Sequence, residues 1–386
     1  VDRDQATKLI RDLLALMRKK EGSDLFITAG FPPAMKIKGV MTPVMKQPLS
    51  PEDSKALTQC IMNDKQLKMY EETLECNFAI APPGLGRFRV NAYVQQNCQG
   101  LVMRSITTDV PNFEKLNLPE ILKEVVMQKN GLVLMVGGTG SGKSTTMAAM
   151  IDYRNANSKG HIITLEDPIE YVHPHKNCVV MQREIGVDAY SWEAAMHNTL
   201  RQAPDVILMG EVRSQETMEF GLELAQTGHL ALATLHANNA NQALDRVAGF
   251  FPHEMHKKLF ADMSLNVRAI ISQRLVRTVD GGRCAAIEIL LNSPLIQELI
   301  QNMDIGGIKP IMAKSREVGM QTFDQALFDL HEQDRISLEA ALAAADSVNE
   351  LRLRIKLEGK AAKGRDALDG LDHLAFQEEK DEHSVR

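Results

Sequence analysis

The 386-residue chain is poor in aromatic side chains, with one Trp and five Tyr, so it offers few platforms on which bases could stack. A basic excess is also missing: 44 Lys and Arg face 50 Asp and Glu, for a net charge of -6. Nucleic-acid binding draws much of its affinity from neutralising phosphates, so no nucleic-acid partner is expected. The five cysteines, at 60, 76, 98, 178 and 284, are odd in number and contain no C-x-x-C pair. A disulfide framework and a tetrathiolate zinc site are therefore not expected, and reduced thiols fit a cytoplasmic compartment. Long hydrophobic runs are absent as well. The longest, such as Leu132–Val136 and Leu230–Leu235, fall far short of the ~20 residues a membrane-spanning helix needs. The first residues, with Asp2, Arg3, Asp4, Lys8, Arg11 and Asp12, do not have the layout of a signal peptide. Any membrane association is expected to be peripheral.

What is present divides along the chain. Leu9, Ile10, Leu13, Leu14 and Met17 stand at helical spacing and are followed by Arg18, Lys19 and Lys20, which predicts an amphipathic helix with cations at its carboxyl end. From Ser23 to about Ile106 the pattern is strand-like. One clear alternation sets Phe88, Val90, Ala92 and Val94 against Arg87, Arg89, Asn91 and Tyr93, as a strand with one buried face requires. Residues 1–106 thus read as a small α+β domain and 107–119, with two prolines, as a linker. From 120 apolar strand-like runs alternate with helical segments, the pattern of a parallel sheet covered on both faces. Residues 254–350 read as mostly helical. The stretch 355–386 reads as a charged tail, without periodicity from about Gly359 on and expected to be disordered.

The strongest local signal is Gly137-Gly138-Thr139-Gly140-Ser141-Gly142-Lys143-Ser144, which matches G-x-x-x-x-G-K-[ST] between an apolar strand and a helix. Gly138, Thr139, Gly140, Ser141, Gly142, Lys143, Ser144 and Thr145 are the candidate phosphate-binding residues. Lys143 would reach the β and γ phosphates of ATP and Ser144 would hold Mg²⁺. A chance glycine-rich turn would not be expected in this strand-to-helix context. Ligands of open α/β sheets bind beyond the carboxyl ends of the strands. At three other strand ends stand Glu166 with Asp167, Glu211, and His236. Each alone is more often a cap or a solvated charge; together at one edge they point to nucleotide hydrolysis. Glu166 is the candidate general base and Glu211 the partner of magnesium or water, with the roles within the pair open. Asp167 is a further candidate metal ligand, and His236 a candidate γ-phosphate sensor. Gly210 stands where many phosphate-loop ATPases carry a magnesium aspartate. His229, at the other end of the His236 strand, serves another surface or fills a core position. His173-Pro174-His175 reads as a surface loop rather than a metal site.

These motifs together resemble the secretion ATPase superfamily of type II secretion and type IV pili. The residues that carry the resemblance are the phosphate loop, the Asp box from Ile162 to Glu170, the atypical Walker B ending in Gly210-Glu211, and the His box from Thr227 to Asn238. The likeness runs from Ser23 to Gln325 and is closest to the PilT/PilU retraction branch. It implies an α/β fold: a PAS-like α+β N-terminal domain, then a RecA-like P-loop ATPase domain over 120–354 with a helical C-terminal part. It also implies a hexameric ring, a related retraction ATPase and an inner-membrane pilus platform protein as partners, and peripheral placement at the inner membrane. Ser293-Pro294-Leu295-Ile296-Gln297-Glu298-Leu299-Ile300 departs from the Ala-Ile-Arg-Asn-Leu-Ile-Arg motif of PilT-like proteins, which pulls the resemblance toward PilU and an accessory role. A secretion or DNA-uptake motor of the same superfamily is the other alternative. Arg87, Arg89 and Arg104 are expected to deliver positive charge to ATP across a subunit boundary, against the alternative of a solvated sheet face.

Overall fold

The computed structural model describes residues 2–107 and 109–360, and the expected tail beyond 360 lies outside the described residues. The first helix, Arg3–Lys19, begins where the Asp2 side chain accepts from the Gln5 backbone N–H and the Gln5 side chain returns the bond, a reciprocal cap of two otherwise orphaned donors. It buries Ala6, Ile10, Leu13, Leu14 and Met17 on an antiparallel sheet. That sheet contains β1 (Gly22–Ile27), β2 (Ala34–Ile37), β3 (Val40–Pro43), β4 (Glu75–Ile80), β5 (Arg87–Gln95) and β6 (Cys98–Ile106), in the order β3-β2-β1-β6-β5-β4. The alternation read in β5 is present: Phe88, Val90 and Ala92 are buried and Arg87, Arg89 and Asn91 are not. The segment expected to be a linker is packed rather than free. Phe113 opens a short helix, is buried, and sets its ring 5.4 Å from that of Tyr153.

A second sheet contains β7 (Gly131–Val136), β8 (His161–Glu166), β9 (Val179–Glu184), β10 (Val206–Met209), β11 (Leu230–Leu235), β12 (Val267–Arg277) and β13 (Arg283–Leu291). Its order is β13-β12-β7-β11-β10-β8-β9. All neighbours run parallel except β12 and β13. The phosphate-loop strand β7 is wholly buried. Its Leu132, Leu134 and Val136 enter one core and its Val133 and Met135 another, as a sheet covered on both faces demands. The expected α/β fold, with an N-terminal domain before a RecA-like ATPase domain, holds.

Three readings change. β9 is not announced by the sequence, and β12 interrupts the segment read as mostly helical, while β13 covers the strand expected near Ala286–Leu290. The helix Val348–Glu358 also continues through the boundary expected at 355. Its end is fixed by the Lys360 backbone N–H, which donates to Glu332 Oε2 at 2.7 Å. Among the described residues no helix is long and apolar enough to cross a membrane.

Candidate functional site

The carboxyl ends of β7, β8, β10 and β11 open into one cleft of about 680 Å³. Thr139 through Thr145, Glu166, Asp167, Gly210, Glu211 and His236 all line it. Of the candidate phosphate-binding residues only Gly138 stays off its wall, although it is exposed in the same loop.

The loop is shaped for an anion. Gly140 and Gly142 take φ values of 76° and 86°, the left-handed region that side chains resist. The helix Lys143–Asn157 that follows has no side-chain cap at its amino end. Its first N–H groups and the positive end of its dipole therefore suit phosphate. Lys143 donates to Gly137 O at 2.7 Å and to Gly138 O at 2.9 Å. Burial lowers its pKa, while the Glu211 charge opposes the shift. A residue with no local sequence signal braces the loop: buried Gln273 on β12 donates through Nε2 to Ser141 O at 2.8 Å and accepts from Thr146 Oγ1 at 2.7 Å.

Glu166 is the last residue of β8. Its Oε1 accepts from Thr164 Oγ1 at 2.6 Å and from Gln182 Nε2 at 3.2 Å. Burial raises its pKa, and these two donors pull against that rise. Gly210 now has a steric explanation. A Cβ there would lie 3.1 Å from Leu165 O and 3.3 Å from Glu166 Cα, so any side chain would press on the strand that carries Glu166. Glu211 accepts from Arg213 Nε at 2.6 Å, and its other oxygen stands 3.4 Å from His236 Nε2.

His229 is remote from the cleft. Its ring is tied to Thr227 Oγ1 and Leu224 O at the start of β11. His173 does not lie on a surface loop: it is buried, lines the cleft, and burial lowers its pKa to about 4. Tyr171, Trp192, Arg213, Leu275 and Arg283 also line the cleft, and sequence reasoning gave none of them a role. Leu275 comes from β12, which the sequence does not announce, and Arg283 from the start of β13.

Arg87, Arg89 and Arg104 do not line the cleft of their own chain. Arg104 donates to Asp24 Oδ1 at 2.8 Å, and Arg89 lies opposite Arg104 in the β5–β6 register. Arg87 reaches across to the second sheet, 3.7 Å from Glu184 and 3.6 Å from Asp188. As for a cation, among the described residues no three His, Cys, Asp or Glu side chains converge closely enough to hold one. Ser144, Glu166, Asp167 and Glu211 suit an ion that arrives with phosphate oxygens, because hard cations take oxygen ligands and Mg²⁺ keeps several waters.

Residues 1–329 match the family described as Type II/IV secretion system protein. The chain belongs to that family. Among secretion-family relatives it is 58% identical to the type IV pilus ATPase PilU of Pseudomonas aeruginosa, over 89% of this chain and 91% of that one. It is 42% identical to the type IV pilus retraction ATPase PilT of the same organism, over 86% of this chain and 96% of the relative. A crystal structure of the pilus retraction motor PilT with bound ADP superposes with a TM-score of 0.81 at 39% identity, covering 88% of this chain and 98% of the other. As a secretion-family member, the chain keeps its loop, both carboxylate strand ends and its histidine around one cleft.

Proposed function

We propose that this chain is an ATP-hydrolysing motor of type IV pilus retraction and twitching motility. The observation that carries the proposal is the convergence of Lys143, Glu166, Glu211 and His236 on the cleft beneath the glycine loop, in a chain 58% identical to PilU. The glycine-loop N–H groups and Lys143 bind the phosphates of ATP. Glu166 orients and deprotonates the attacking water. Glu211 and His236 face the γ phosphate. Ser144, with Glu166, Asp167 and Glu211, would hold Mg²⁺, which would supply charge neutralisation on the phosphates.

The working form is a homohexamer in the cytoplasm, peripheral at the inner membrane. There it meets the pilus platform protein and a related retraction ATPase, and Arg87, Arg89 and Arg104 serve the ATP of a neighbouring subunit. Lys143→Ala should abolish turnover, and Glu166→Gln should keep ATP binding while blocking cleavage. Normal turnover by the Lys143 variant refutes the assignment. A second reading, an accessory ring subunit acting through a partner ATPase, is favoured by the absence of arginine from the Ser293–Ile300 segment. A chain that binds ATP yet turns it over only beside the partner would support that reading.

A further inference from the structure

The fourth residue of β9, Gln182, stands against the candidate base. Every polar atom of the Gln182 amide has a partner. Its Oε1 accepts the His173 backbone N–H at 2.7 Å. Its Nε2 donates to Tyr171 O at 2.8 Å and to Glu166 Oε1 at 3.2 Å. Reversing the amide would set NH₂ against an N–H and oxygen against a carbonyl and a carboxylate, so these partners dictate its orientation. Thr164 donates to the same Glu166 oxygen from within β8. Glu166 is thus gripped from its own strand and from the neighbouring one, and a carboxylate with about four acceptor sites keeps capacity for a water.

We infer that Gln182 is a positioning residue for the hydrolysis reaction. It fixes the Glu166 carboxylate in one orientation at the cleft. The inference rests on the reading of Glu166 as the base. A base acts only when its oxygen is aimed at the water it deprotonates, so loss of the donor costs rate rather than nucleotide affinity. Gln182→Met keeps the length of the side chain and removes the donor. Gln182→Glu keeps an acceptor for His173 N–H, removes the donor and adds a negative charge beside Glu166.

The test is single-turnover ATP hydrolysis by the full chain, with nucleotide affinity and melting temperature measured on the same samples. The single-turnover rate should fall about tenfold in Gln182→Met and in Gln182→Glu, while ATP affinity stays within about twofold, the split expected when only the alignment of the base is disturbed. Thr164→Val, which removes the other donor, should lower the rate in the same way. If Gln182→Met melts early, the Gln182→Glu and Thr164→Val rates carry the test. An unchanged rate in every folded Gln182 variant, while Glu166→Gln is inactive, overturns the positioning role alone. Turnover by Glu166→Gln overturns the base assignment and the inference with it.

Discussion

Arg213 Nε lies 2.6 Å from Glu211 Oε2, and both residues line the cleft that holds Lys143. The pair sets a guanidinium beside a carboxylate that would otherwise repel a triphosphate. Only Val212 stands between them, so the strand end that supplies the acid supplies its counter-charge.

Arg213→Ala should leave Glu211 with His236 as its remaining neighbour and lower kcat/KM for ATP by about tenfold or more, or ~1.4 kcal/mol. Arg213→Lys should recover part of the loss, since it keeps the charge but not the planar fork. Unchanged steady-state kinetics in the alanine variant would refute a role for this pair.

Gln273 spans from β12 to the phosphate loop, and its amide is buried. Gln273→Leu should leave Ser141 O and Thr146 Oγ1 without their partner and cost about 1–3 kcal/mol of stability. ATP affinity should fall with it, because the loop loses its brace. Denaturant unfolding and nucleotide titration check the two effects separately.

Burial lowers the pKa of His173 from 6.5 to about 4. Between those values the unfolded chain binds a proton that the folded chain refuses. The contribution is therefore fully present above pH 6.5 and is lost as pH falls toward 4, by about 3 kcal/mol when the unfolded imidazole is fully charged. His173→Gln should flatten the stability profile between pH 6.5 and 4 relative to the parent chain. Parallel profiles would show that His173 does not titrate in this way.

For Arg87, Arg89 and Arg104 the decisive measurement mixes two inactive proteins. A triple-alanine variant and Lys143→Ala should each lack turnover, and mixed assemblies should regain part of it if the arginines act on a neighbouring subunit's ATP. Full activity in the triple variant would leave the arginines as sheet-face charges, with Arg104 serving Asp24 and Arg87 serving Glu184 and Asp188.

The cleft was legible where chemistry follows directly on a strand. Glu166, Glu211 and His236 each stand at or just beyond the end of an apolar run, and the glycine loop carries its own spacing. β9, at one edge of the sheet, and β12, inside it, were not legible. β12 reads Val267-Arg268-Ala269-Ile270-Ile271-Ser272 and is buried on both faces, so the period-two signal is lost and a helix fits as well. β9 reads Val179-Val180-Met181-Gln182-Arg183-Glu184, half of it polar, and follows a proline- and histidine-containing loop. Gln182 and Gln273 act through pairings between strands and across 16 and 127 to 132 residues of sequence, which no local pattern announces. His173 was misread because proline on its carboxyl side suggested an exposed turn, whereas packing against the cleft decided its burial.

β9 lies at the end of the sheet order and is bonded along one side only, to β8. A strand with a single ladder has less backbone bonding to resist displacement than one held on both sides. This compliant strand nevertheless carries Gln182, which grips Glu166, and Glu184, which faces Arg87 of the first sheet. The two side chains leave the same face about 6.6 Å apart. A load passed through Arg87 thus reaches the strand that holds the candidate base, and mechanical contact and the alignment of Glu166 share one short length of backbone.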